Sequence, residues 1–148
     1  MKFGLIAIDD AEGAILAHTQ RFEGGAIKKG KRLGTGELAR LRSAGIREVV
    51  AVRFETGDVP EDEAAARVAV AALGGGVVAG EAKTGRTNLY AARRGLLRVE
   101  GARVDAVNTV DESVTLATLA PFSLVDEGDM VATVKTIPFA VAEGVVER

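Results

Sequence analysis

The chain has no cysteine and no tryptophan. The first absence removes disulfides, thiolate metal sites and thiol nucleophiles. The second, with one tyrosine and five phenylalanines, leaves an aliphatic core. So few rings cannot build a stacking platform for single-stranded nucleic acid. One histidine, His18, is too few for a histidine metal cluster or a histidine relay. An excess of one charge is missing too. Lys and Arg number 19 against 21 Asp and Glu, a net charge of −2. A duplex-binding face is not expected on that balance. No apolar run approaches the ~20 residues needed to span a bilayer. The opening MKFGLIAIDDAEG is not expected to be a signal peptide, because two aspartates end its short apolar run. The expected compartment is the cytoplasm, with neither nucleic acid nor membrane as partner.

What is present is ample aliphatic material: 47% of the 148 residues are hydrophobic. That suffices for one domain or two small lobes. FGLIAI (3–8), AILAHT (14–19), residues 47–54, LLRVE (96–100), VTLATL (114–119) and MVATVKTIPFAV (130–141) read as strands. A helix is expected over about 36–44, capped by Thr35 and closed by Gly45. The clearest helix signal is DVPEDEAAARVAVAALGGG. Pro60 suits its first turn, three acids favour its positive end, and glycines stop it. GARVDAVNTV reads as a third, short helix with Val104 and Val107 inward. The expected class is α+β: a mixed β-sheet or small barrel-like lobes with two to three short helices. The chain reads as one module over 1–148, with two lobes, 1–58 and 59–148, as the alternative division.

Several motifs invite a chemical reading. GTGELA (34–39) has the spacing of a dinucleotide fingerprint, with Glu55 following at about the required ~20 residues. The residues before it, KKGKR, cannot form the buried strand such a site needs, so a capped surface helix is expected. KKGKR itself reads as a solvated basic turn or a phosphate contact. KTGRTN (83–88) brings a hydroxyl, a glycine N–H, a guanidinium and an amide to one turn. Thr84, Gly85, Arg86 and Asn88 could ring a phosphate or carboxylate, or form an ordinary polar turn. No P-loop is present, no acid/base pair stands out, and His18 is expected to be structural. Lys135 lies within ATVKTIPFAV, between Thr133 and Ile137. Pro138 suggests a sheet edge, where a lysine blocks aggregation. The alternative sends Lys135 into a groove that it shares with KTGRTN.

Two segments carry a family resemblance. IKKGKRLGTGELARLRSAGIREVVAV (27–52) resembles the segment of molybdopterin molybdenumtransferases that leads into their molybdopterin-binding domain. The longer segment, 84–141, carries TGR-x-N-L, N-x-V-D, T-L-A-T-L and M-V-A-T-V-K-x-I-P-F-A-V in order. It is similar to the N-terminal region of bacterial molybdopterin-binding proteins. The resemblance implies molybdenum cofactor biosynthesis, with molybdopterin or its nucleotide form as ligand. In those relatives a molybdopterin-binding α/β domain follows this region, and none of its residues can be carried over. The chain is therefore expected to be an accessory N-terminal module, whose partners would be that C-terminal domain or further copies of itself. The alternative is a purely structural oligomerisation module with no ligand.

Overall fold

A computed structural model describes residues 1–148. The chain forms an α+β fold in two compact units, Met1–Thr56 and Gly57–Arg148. Its strands lie in several small sheets and close no barrel.

In the N-terminal unit, β5 (Glu48–Arg53) is the middle strand of a three-stranded antiparallel sheet. β1 (Lys2–Ala7) flanks it on one side and β2 (Ile15–Leu16) on the other. A short 3-10 turn, Ile8–Asp10, follows β1. β3 (Gln20–Phe22) and β4 (Gly25–Ile27) make a separate hairpin. α1 (Thr35–Ser43) buries Leu38 and Leu41 against Leu16, Leu33, Val49 and Ala51. Two local expectations are corrected here. The N-cap of α1 is Gly34, in extended backbone, and Thr35 is the first helical residue. Glu37 reaches back to accept the Gly34 N–H at 3.1 Å, so no cap hydroxyl is needed. His18 is exposed and lies outside a strand, because the ladder with β5 stops at Leu16 and the chain bends.

In the C-terminal unit, a four-stranded antiparallel sheet has the order β10-β12-β8-β7. These strands are β7 (Val77–Ala79), β8 (Arg86–Ala91), β10 (Val114–Thr118) and β12 (Met130–Thr136). Period two divides β8 cleanly: Thr87, Leu89 and Ala91 are buried, while Arg86, Asn88 and Tyr90 face outward. α2 (Glu61–Ala71) lies on the buried face, against β8 and β12. Ala64, Ala65 and Ala69 are fully buried there. Small side chains allow this close approach, which is why the alanine run sits inward. Pro60 is the N-cap of α2 and also the last residue of β6 (Asp58–Pro60).

Three further differences from expectation have simple causes. MVATVKTIPFAV is not one strand. Pro138 lacks an N–H, and the chain leaves the sheet after Thr136. It then forms β13 (Ala140–Ala142), which pairs with β6. LLRVE contributes only Leu96 to a ladder, because β9 (Gly95–Leu96) meets just β11 (Leu124–Val125). There are four helices, not two to three: α3 (Gly101–Val110) is as expected, and α4 (Glu143–Val146) is a single additional turn. No helix is long and apolar enough to cross a membrane.

Candidate ligand site on the C-terminal sheet

The KTGRTN segment forms a tight hairpin. The Lys83 N–H donates to Arg86 O at 2.8 Å, and the Arg86 N–H donates back to Lys83 O at 3.2 Å. Two residues lie between, Thr84 at φ 51° and Gly85 at φ 69°. Positive φ at both central positions is the geometry whose twist matches the flanking strands. Glycine meets that demand freely, whereas threonine is strained in it.

Gly85 is held on every side. Its N–H donates to Asp62 Oδ1 at 2.7 Å, and its carbonyl accepts the Thr136 N–H at 2.7 Å. A Cβ at this position would stand 2.8 Å from Thr136 O and 3.0 Å from Glu61 Oε2. The Gly85 N–H thus seats the hairpin on the acidic first turn of α2. The Thr84 hydroxyl donates to Lys83 O at 2.8 Å.

The other three candidates share the outward face of the sheet. Lys135 is directly opposite Arg86 on one side and Thr115 on the other. Next along, Thr133 is opposite Asn88. The Thr133 hydroxyl donates to Asn88 Oδ1 at 2.9 Å, and Asn88 Nδ2–H donates to the Tyr90 hydroxyl at 3.2 Å. Arg86 and Lys135 are both exposed, and neither makes an ion pair. Side chains directly opposite in such a sheet start about 4.5–5.5 Å apart, and like charges there repel. The face therefore presents two adjacent cations beside a fixed amide, hydroxyl and phenol, a set suited to an oxyanion.

Lys135 is not at a sheet edge. β12 has neighbours on both sides, so the edge reading of its lysine is corrected. Pro138 marked the end of the strand along its length, which says nothing of its lateral place. Asp62, Tyr90 and Thr133 also belong to the site, and the sequence does not single them out. Asp62 was visible only as a helix-start acid. Its contact with Gly85 spans 23 positions and leaves no local signal.

Two of the KKGKR cations serve local contacts in the N-terminal unit. Lys31 pairs with Glu37 at 3.2 Å, and Arg32 donates to Gly13 O at 2.7 Å. GTGELA follows no extended strand of the kind a dinucleotide site requires.

Residues 5–53 are similar to a family described as "Domain of unknown function (DUF8806)". That match lies within the N-terminal unit and covers less than half of the chain. No curated protein and no solved structure matches.

Proposed function

We propose that the chain is an accessory, non-catalytic module of molybdenum cofactor biosynthesis, working in the cytoplasm beside a molybdopterin-binding domain. In this reading it contacts the phosphate of molybdopterin through the outward face of the C-terminal sheet. The observation that supports it is the juxtaposition of Arg86 and Lys135. An oxyanion between them would relieve their mutual repulsion and accept the planar fork of the guanidinium. Asn88, already oriented by Thr133, would contribute an amide, and Tyr90 an adjacent ring. The family resemblance of segment 84–141 supplies the identity of the ligand. This chain's part is to bind and orient.

Titration of the chain with molybdopterin, and separately with inorganic phosphate, tests the reading. A ligand at ~100 times its dissociation constant should stabilise the fold by about 2.7 kcal/mol. Arg86→Met and Lys135→Met should each lose about 1.5–3 kcal/mol of binding, or roughly tenfold and more in affinity. Added salt should narrow that difference. Unaltered affinity in both variants would remove the site, and no binding by the wild-type chain would remove the ligand.

A second reading, an oligomerisation module, draws on one feature of the N-terminal unit. Phe3 and Leu5 are exposed opposite Val52 and Val50 on the sheet. Sedimentation of wild type against Phe3→Ser separates the two readings: a dimer that dissociates in the variant favours this one.

A further inference from the structure

The opposite face of the same sheet holds a second candidate site. Between α3, the end of α2, α4 and the buried side of the sheet lies a cavity of about 840 Å³. Leu89, Leu116 and Val131 line its sheet side, Val125 of β11 adds to that wall, and Val104 and Val107 of α3 line its helical side. α3 buries no residue completely, although Val104 and Val107 touch the core. The helix therefore stands over a space that its own side chains do not fill. One hydrogen-bonded anchor holds it to the sheet: Asn108 Nδ2–H donates to Leu116 O at 2.9 Å, and the Leu116 N–H donates to Asn108 Oδ1 at 2.7 Å.

The rim is not apolar. The stretch from Arg93 to Arg103 brings Arg93, Arg94, Arg98 and Arg103 to the lining, with Glu100 as the one carboxylate among the lining residues. Arg94 pairs with Asp126 at 3.4 Å, and Arg103 with Glu100 at 2.8 Å. Arg93 and Arg98 have no ion pair. Arg93 lies against Gly76, where a side chain would meet its guanidinium group at 3.4–3.7 Å. Exposed Leu96 sits between these arginines on the rim.

We propose that this cavity binds a single-chain amphiphilic anion, of the class of a long-chain fatty acid. Ligand pockets commonly have volumes of about 300–1,000 Å³ and apolar walls with a few oriented polar groups. Aliphatic walls without a planar aromatic slot suit a flexible hydrocarbon chain better than a heterocycle. Arg93 and Arg98, which are without ion pairs, suit a carboxylate head at the rim, since each presents a planar donor fork. The site is independent of the outward Arg86–Lys135 face, so either can fail without the other.

The test is titration of the full chain with palmitate, read by calorimetry, with hexadecanol as the uncharged comparison. Saturable one-to-one binding of palmitate is expected, with hexadecanol binding at least about tenfold more weakly. The double variant Arg93→Gln/Arg98→Gln changes only exposed side chains. It should weaken palmitate binding by about tenfold or more and leave hexadecanol unaffected. Val107→Trp should block both ligands by filling the cavity, with circular dichroism confirming that the variant folds. Cosedimentation with phosphatidylglycerol vesicles separates a free acid from a membrane surface. Vesicle binding without palmitate binding, equal affinity for the alcohol, or no effect of the arginine variant would each overturn the proposal.

Discussion

The side chain of Asn108 occupies both backbone hydrogen-bonding groups of Leu116 on β10. β10 is an edge strand of the four-stranded sheet. Unpaired edge groups are templates for another chain, and a side-chain amide that mimics a neighbouring strand removes them. Asn108, rather than Lys135, guards this edge. Asn108→Ala should destabilise the unit by about 1–3 kcal/mol, because part-buried backbone groups lose their partners. It should also raise light scattering on storage. A variant with an unchanged denaturation midpoint and unchanged scattering would show that the clamp matters little.

The hairpin at Thr84–Gly85 gives a pair of opposite expectations. Gly85→Ala should cost about 1–3 kcal/mol, since positive φ and the contacts with Thr136 and Glu61 both oppose a side chain. Thr84→Asn should stabilise by up to about 1 kcal/mol, because Asn-Gly is the favoured pair for this turn. Urea midpoints of the two variants should move in opposite directions. Movement in the same direction would contradict the turn geometry.

Much of the fold was legible where the signal is local. The acids after Pro60 and the glycines after Leu73 bracketed α2, and Gly85 marked a turn that only positive φ can close. The strand after it was not: residues 86–88 read as part of a polar turn, although alternation over β8 sets Arg86 and Asn88 apart from Thr87 and Leu89. Lateral order was not legible, because strand neighbours are chosen by residues far away in sequence. Lys135 sits between Thr115 and Arg86, and no nearby residue announces that. Helix caps fell between the two cases. Thr35 had the right chemistry, but Glu37 reaching back to Gly34 moved the cap by one residue.

Two buried hydroxyls offer a stabilising substitution. Thr87 Oγ1 and Thr136 Oγ1 lie in the core without a hydrogen-bond partner. An unsatisfied buried hydroxyl costs about 1–3 kcal/mol. Valine has the same shape without the oxygen. Thr87→Val should therefore raise the urea midpoint, with an expected gain of about 1 kcal/mol. A lowered midpoint would mean that the hydroxyl finds a partner after all.

The Gly34 N–H, and after it Lys31, hold the Glu37 carboxyl below the usual glutamate range. Both act on the charged form: the N–H donates to Oε2 at 3.1 Å, and the Lys31 ammonium lies 3.2 Å from Oε1. In the unfolded chain both partners are lost and the carboxyl returns to its ordinary value. A folded-state value below the unfolded one means that the ionised form stabilises the fold. That contribution is complete above the unfolded value and fades as pH falls through the folded one. Glu37→Gln keeps an oxygen that can accept the Gly34 N–H but cannot ionise. Wild type should therefore exceed Glu37→Gln in stability at neutral pH, and the gap should close in strongly acidic buffer. Urea titrations of both proteins across that range provide the measurement. A gap that stays constant with pH would show that the carboxylate charge plays no part in holding the start of α1.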